Sequence, residues 1–371
     1  MRPKLGTWFD VFSYPKLPRA QPPVSTSPFK SFAPTSQRAQ RLLGVCAALL
    51  LAACDRGSKR TSPDAALAPA GSGSAAVAKQ PPAARAPARL TTLPISAYAT
   101  SIAMDDDAVY LMTSNAAYRL VEGEPVHGIR LELGIGPVLT RTSFVFWSNG
   151  AVWSAPKQGG VTRELGKFAH QPQYFVSSGD AVAWVDETDD GLYTIQTLNG
   201  REPRVLTSST GEIRALDMIG DAVYFVQRPA DDSFRIGVVR LDGSDPEYGT
   251  TRKGRAPSQL SGSDGLYYFD LDTSRILQLS LDLRREEVQQ KDLVCSPIDV
   301  SDRIYCGCVE GLFEVSKGAH QPRVLSYGRP GSITSISSNE KAVAWVVDLG
   351  PGQLAVDMLP ASASDGQPPV P

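Results

Sequence analysis

The residues able to carry acid–base, metal or thiol chemistry are few in this chain. His127, His170 and His320 are its only histidines, and Cys46, Cys54, Cys295, Cys306 and Cys308 its only cysteines. The phrases Ala169-His170-Gln171-Pro172 and Ala319-His320-Gln321-Pro322 look like twins, but they fall at different places in the repeat described below and define no paired site. Cys295, Cys306 and Cys308 are close in sequence, yet a tetrahedral thiolate centre needs a fourth ligand and none lies near them, so no metal is expected. A disulfide is expected instead, given the export leader considered last. A turn near Ser301-Asp302 puts Cys295 opposite Cys308 on the next strand, and a one-residue shift of the turn centre puts it opposite Cys306. Cys295–Cys308 is the expected pair, with Cys306 a buried thiol.

Carboxylates gather at Asp186, Glu187, Asp189 and Asp190, then Asp231 and Asp232, then Asp270 and Asp272, then Asp348. Calcium would need about six to eight converging oxygens, and no Asp-x-Asp-x-Asp-Gly spacing appears, so these read as solvated turn residues. Bases collect elsewhere, at Lys167 and His170, at Arg252, Lys253 and Arg255, at Lys291 and at Arg329. Lys167, His170, Lys253, Arg255 and Arg329 are the candidates for a ligand face, on loops expected to run inward and give a basic centre inside an acidic rim. Such a field attracts an anionic ligand or the acidic loop of a partner. No linear signature of nucleophilic catalysis is present: Ser261-Gly262-Ser263-Asp264-Gly265 reads as a turn without a partner histidine, and no Gly-x-x-x-x-Gly-Lys phosphate loop occurs. No cofactor and no catalytic residue are therefore assigned.

The elements that must position these residues come from a phrase that recurs seven times. It reads Ala108-Val109-Tyr110-Leu111, Phe144-Val145-Phe146-Trp147, Ala181-Val182-Ala183-Trp184, Ala222-Val223-Tyr224-Phe225, Gly265-Leu266-Tyr267-Tyr268, Arg303-Ile304-Tyr305-Cys306 and Ala342-Val343-Ala344-Trp345. Counted from Val109 through Val145, Val182, Val223, Leu266, Ile304 and Val343, the spacings are 36, 37, 41, 43, 38 and 39 residues. Within a unit, strand and turn alternate, as in Pro172 to Val176, Asp180 to Val185, Leu192 to Leu198 and Pro203 to Ser208, with Asn199-Gly200 and Asp242-Gly243 as hairpin signals. Four short antiparallel strands per unit make one propeller blade. The fold class is all-β, a seven-bladed propeller over 88–359. The seventh unit lacks a fourth strand, whereas Arg89-Leu90-Thr91-Thr92 reads like the fourth strands Arg204-Val205-Leu206-Thr207 and Arg323-Val324-Leu325-Ser326. Residues 88–93 are thus expected to close the ring as the outer strand of the last blade, removing an open edge.

The phrases Val182-Ala183-Trp184-Val185-Asp186 and Ile236-Gly237-Val238-Val239-Arg240-Leu241-Asp242-Gly243-Ser244 resemble the YWTD-type and TolB-like propeller repeats. Those families commonly have six blades, which is the alternative count here. The resemblance implies an extracellular or periplasmic interaction platform.

Upstream, residues 42–53 form an apolar run of twelve, flanked by Arg38 and Arg41 and ended by Cys54. At about 1.5 Å per residue it is too short to span a hydrocarbon core of roughly 30 Å, and it has the layout of an export signal over 38–53. Leu51-Ala52-Ala53-Cys54 resembles the lipobox of bacterial lipoproteins, which implies lipidation of Cys54 and attachment to a membrane. Residues 54–87 are an Ala/Pro-rich stretch expected to act as a disordered tether, as 360–371 act as a tail. Residues 1–37 read as a start called too early or as an extension. They share in an N-terminal balance of seven bases against Asp10 over 1–41, which leaves −8 on the remainder of a chain of net charge −2. That acidity argues against nucleic acid as a partner. The expected function is a lipid-anchored envelope protein on the periplasmic or outer surface, on either membrane, whose propeller is a non-catalytic binding or scaffold platform for an envelope protein. The alternative is a propeller hydrolase or lyase acting on an anionic saccharide or peptide at the basic axial centre. A third is a structural subunit that binds through its blade sides.

Overall fold

The computed structural model describes residues 87–360, apart from 95–98, 125, 132–133, 168–170, 199–202, 231, 309–310, 318–321, 328–332 and 351. Cys54, the leader, the Ala/Pro-rich stretch to residue 86 and the tail after residue 360 lie outside the described residues.

The described residues form seven antiparallel sheets and no helix. Six of the sheets are built from consecutive strands, giving blades 1 to 6 at 99–130, 134–167, 173–209, 212–253, 261–291 and 298–327, and the seventh joins the strands of 333–360 to one from the other end of the propeller, 88–94. Blade 3 shows the plan: Gln173–Ser178, Ala181–Glu187, Tyr193–Leu198 and Pro203–Ser209 pair in that order. The first strands of successive blades neighbour one another in an unbroken cycle, so they surround the axis and the fourth strands form the outer wall.

The recurring phrase is the second strand of each blade, and its alternation explains the ring. Successive side chains of a strand point to opposite faces, and here each face meets a different neighbouring blade. Val182 and Trp184 join the apolar cluster toward blade 2, and Ala183 and Val185 the one toward blade 4. Seven such clusters exist among the described residues, one for every pair of adjacent blades, including blades 7 and 1. Trp184 and Trp345 are each 1% exposed, so the large aromatics of these strands serve packing between blades. Close stacking also fixes a glycine. A Cβ on Gly237 of the third strand of blade 4 (Ser233–Arg240) would stand 2.5 Å from Cζ of Phe225, so any side chain there collides with a buried ring.

Blade 2 departs from the sequence phase by one residue. Its first turn is closed by the Thr140 N–H donating to the Ser143 carbonyl, as Asp105 to Ala108 closes that of blade 1, so Phe144 occupies the place of Val109. Phe144 and Phe146 accordingly face blade 1 and Val145 faces blade 3.

Ring closure follows the expectation from sequence. Ala88–Pro94 pairs with Gln353–Pro360 as the fourth strand of blade 7, in the order 88–94, 353–360, 342–350, 333–338. Leu90 and Leu93 pack against the cluster shared by blades 7 and 1. Arg89 stands opposite Asp357 in register and grips it with two bonds, Nε to Oδ1 at 2.8 Å and Nη2 to Oδ2 at 3.2 Å.

The disulfide differs from the expected pair: Cys295 is joined to Cys306, not to Cys308. The reason lies in a break in the strand pairing of blade 6. The ladder runs Val300 to Ile304 and Ile298 to Cys306. Pro297 has no N–H to offer, and beyond Ile298 two residues face one: Ser296 N–H donates to the Gly307 carbonyl at 3.0 Å, and Gly307 N–H donates to the Pro297 carbonyl at 2.9 Å. This bulge bends Cys295 back until its Cα is 5.3 Å from that of Cys306, inside the usual disulfide range.

Candidate functional site

Strand polarity assigns every loop to one of two faces. Turns between second and third strands share a face with the connections from one blade to the next; turns between first and second strands and between third and fourth strands lie on the other. The acidic turns and the basic connections noted in the sequence therefore share the first face.

Three acidic residues of that face, Asp190, Asp270 and Asp348, are engaged by their own turns. Asp270 Oδ1 accepts from Asp272 N–H at 3.0 Å and its Oδ2 from the Thr273 hydroxyl at 2.5 Å. Asp348 Oδ1 accepts from Gly350 N–H at 2.9 Å, and Asp190 accepts from the Thr188 hydroxyl. Such side-chain bonds to nearby backbone and hydroxyls are what Asp supplies in tight turns. Asp186, buried, accepts from Gln196 Nε2 at 3.0 Å and belongs to the blade interior.

Of the five basic candidates, His170 and Arg329 lie outside the described residues, as does the side chain of His127. The other three do not converge on the axis. Lys167 ends the outer strand of blade 2 (Arg163–Lys167), exposed. Lys253 lies on the outer wall of blade 4, where Arg252–Lys253 pairs with Phe234 and Ser233 of the third strand. Arg255 is drawn to the next blade: its N–H donates to Asp272 Oδ2 at 2.8 Å, and its guanidinium stands 3.7 Å from Oδ1 of the same carboxylate. Arg252 is taken up by Tyr268 and Glu286. The described bases thus sit at the rim and mid-radius, since Lys167 and Lys253 are each the last residue of an outer strand and Arg255 is held by the turn of the next blade.

Two of the described inner strands bring carboxyls toward the axis instead. Asp217, on the first strand of blade 4 (Glu212–Ile219), and Asp299, on that of blade 6 (Ile298–Val300), face Tyr224 and Tyr305 at matching positions on their second strands. Ser261 of blade 5 holds the same place opposite Tyr267. Asp217 Oδ1 accepts from Met218 N–H at 2.8 Å, and the Gly262 N–H of the next blade bonds the carboxylate. Asp299 Oδ2 accepts both the N–H and the hydroxyl of Ser338 in blade 7, each at 2.6 Å. Val300 N–H donates to Ser261 Oγ at 2.9 Å, and the Gln259 amide exchanges two bonds with the backbone of Ile298, at 2.6 and 3.0 Å. Inner strands of neighbouring blades are too splayed for a continuous backbone ladder, and these side chains replace it.

Both carboxyls open on one side to the axis but are enclosed by the ring of blades. Burial pushes Asp217 up to about 7, with the facing Asp299 adding to the rise and the N–H groups of Met218 and Gly262 opposing it. Burial pushes Asp299 up to about 6, opposed chiefly by the hydroxyl and N–H of Ser338. Sequence reading passed over these two because each is a single aspartate flanked by apolar residues, Leu216 and Met218 in one strand and Ile298 and Val300 in the other. The available signal was their shared position, one strand upstream of the phrase in blades 4 and 6, with Ser261 between.

The second face is stitched between blades by charge. Asp105 of blade 1 meets Lys157 of blade 2 at 2.9 Å, Arg141 of blade 2 meets Asp180 of blade 3 at 3.7 Å, and Asp264 of blade 5 meets Lys317 of blade 6 at 2.7 Å. Lys341 of blade 7 reaches Asp106 of blade 1. Beside Asp264 lies a half-open cavity of about 420 Å³, lined also by Gln278, Ser280, Asp282, Arg285 and Glu287. Among the described residues, no three His, Cys, Asp or Glu side chains are grouped as a metal site.

Neither a family profile nor a curated protein sequence matches the chain. Solved structures do. It is similar to YCF48 from Cyanidioschyzon merolae, with TM-score 0.56 and 11% identity over 73% of this chain and 98% of that one. It is similar to the AfRom2 CNH domain, with TM-score 0.54 and 10% identity over 74% and 98%. It is also similar to the computationally designed Ika8 protein, with TM-score 0.51 and 12% identity over 72% and 98%. At these identities the likeness is one of fold.

Proposed function

We propose that the chain is an exported lipoprotein, anchored through lipid on Cys54, whose propeller presents its first face as a non-catalytic binding platform to an envelope protein. The observation that carries this reading is the polarity of the closing strand. Ala88 pairs with Met358 and Pro94 with Gln353, so the strand enters at the second face and runs toward the first. A segment between Cys54 and Ala88 would therefore join the propeller at the stitched second face and leave the first face, with its blade connections and exposed Lys167, Lys253 and Leu271, clear of that attachment. The axial carboxyls fit this reading as struts between blades, since the carboxylate oxygens are engaged by N–H and hydroxyl groups of the next inner strand.

The test is intact mass and membrane partitioning of the full chain beside a Cys54→Ser variant. A mature form beginning at a diacylated Cys54, released from membranes by the substitution, is the expected result. A soluble product cut elsewhere, or one whose partitioning ignores the substitution, would refute the anchor. For the platform, Lys167→Glu with Lys253→Glu should weaken cross-linking to neighbouring envelope proteins, while Asp282→Lys on the second face should leave it unchanged; the reverse pattern would refute the choice of face.

A further inference from the structure

Three cysteines of blade 6 sit on one bulged hairpin, and the sulfur bond does not follow the backbone pairing. Ile298 is opposite Cys306, and Ser296 and Pro297 share Gly307. Counting on past the bulge would set Cys295 against Cys308, although the strand pairing itself ends at Ile298 and Cys306. Yet Cys295 is bonded to Cys306, with Cα atoms 5.3 Å apart. Cys306 and Cys308 are two residues apart on one strand (Ile304–Cys308), so both side chains leave the same face of the sheet, the face on which Cys295 lies. The two differ in setting: Cys295 and Cys306 are buried at 1% and 0% exposure within the cluster between blades 5 and 6, whereas Cys308 is half-buried at the strand end.

We propose that Cys295, Cys306 and Cys308 form a thiol–disulfide exchange unit that re-seats the connection between blades 5 and 6. The Cys308 thiolate attacks the Sγ of Cys295; the Cys295–Cys306 bond breaks as Cys295–Cys308 forms, and Cys306 leaves as a thiolate that takes up the proton lost by Cys308. One disulfide and one thiol exist before and after, so no outside oxidant or reductant is consumed. Each isomer has a site for the displaced sulfur. Cys306 as a thiol stays in the apolar cluster, where a free cysteine packs as a small hydrophobe, and Cys308 as a thiol stays at the accessible end where an attacking group must be. The mobile partner is Cys295. Its segment, 292–297, leaves Lys291 at the end of an outer strand and enters the inner strand Ile298–Val300, so it crosses the first face with Val294 exposed. Transfer of the bond moves that segment by one pleat of the neighbouring strand and changes the surface the first face presents.

Cleavage after Lys291, Arg303 and Lys317 places Cys295 in one peptide and Cys306 with Cys308 in another, so fragmentation of the linked pair reads the bond directly. The full chain, held at pH 8, is quenched in acid, unfolded in guanidinium at low pH and blocked with N-ethylmaleimide. Label is expected on Cys308 in most molecules and on Cys306 in the rest. Blocking Cys308 in the native protein beforehand should abolish the Cys306 label. A Cys306→Ser variant should form Cys295–Cys308 on oxidation and melt near the wild-type temperature. Label confined to one cysteine, or a Cys306→Ser variant that folds with both remaining thiols free, would overturn the proposal.

Discussion

The bond between Arg89 and Asp357 is where removal of one side chain should weaken the whole ring. Blade 7 is the blade whose strands come from both ends of the propeller segment, and Arg89 is the charged tie across that seam. In Arg89→Ala the Asp357 side chain, 3% exposed, keeps its burial and loses both guanidinium bonds. Stripping one partner from a buried pair costs about 3–5 kcal/mol, and the low end applies because Arg89 is itself 29% exposed and Asp357 has a further contact. A loss of about 3 kcal/mol corresponds to a fall in Tm of roughly 6–12 °C for a domain of this size. Urea unfolding of residues 84–371 measures it, with Arg204→Ala as control. Arg204 holds a like place on the outer strand of blade 3 but donates only to the exposed Asp242 carbonyl at 3.2 Å, so its loss should cost under about 0.5 kcal/mol. Adding Asp357→Asn to Arg89→Ala removes the stranded charge and should recover about half of the loss. If Arg89→Ala matches the Arg204 control, or if Asp357→Asn deepens the loss, the seam is not held by this pair and the reasoning fails.

Three other outcomes follow from the same contacts. Asp217 and Asp299 are raised to about 7 and about 6 from an ordinary 3.8, so the folded chain binds more protons than the unfolded one between those limits. The stability each contributes is full below pH 3.8 and is lost as pH rises through the folded value, by up to about 1.4 kcal/mol per pH unit and group; urea midpoints should fall from pH 5 to pH 7.5, and Asp217→Asn should flatten that fall. Asp105 and Asp264 work in the opposite sense: burial pushes each up, but Lys157 and backbone N–H groups at Asp105, and Lys317 and Tyr267 at Asp264, hold both below the ordinary range. Their contribution is present above pH 3.8 and is lost as pH falls through the folded values, so an acid limb should appear below pH 4 and weaken in Lys157→Met. Gly237→Ala should cost about 1–3 kcal/mol by driving a Cβ into Phe225, and Phe225→Leu should relieve part of it in the double variant; an unchanged urea midpoint for the single variant would contradict the packing.

The architecture was legible because one physical requirement repeats. Every blade needs a second strand apolar on both faces, and the phrase around Val109, Val182, Val223 and Val343 is that strand. Ring closure was legible for a related reason, since Arg89-Leu90-Thr91-Thr92 repeats the pattern of other outer strands. Phase was harder. In blade 2 both Phe144 and Val145 are β-formers, and only the turn from Thr140 to Ser143 decides which of them faces blade 1. The cysteine pair failed on the same scale, because a bulge at Ser296-Pro297 is one extra residue that no hydrophobic pattern records. The basic centre was drawn from loop order alone, which gives the face of a residue but not its distance from the axis; Lys253 shares a face with the axis and lies on the outer wall.

That distinction bears on where recognition belongs. The second face is committed twice over, to ion pairs between blades and to the entry of the closing strand beside Met358. The axis is committed as well, since Asp217, Ser261, Gln259 and Asp299 each hold a neighbouring inner strand and a change in any of them alters the ring itself. What the ring does not need is on the first face: the side chains of Lys167 and Lys253 and the exposed Leu271 and Val294. Substitutions there change a surface without opening a seam. The acidic turns around them are fixed in shape by their own hydrogen bonds, so the face combines a rigid frame at Asp270 and Asp348 with positions free to vary, which is the arrangement a binding platform requires.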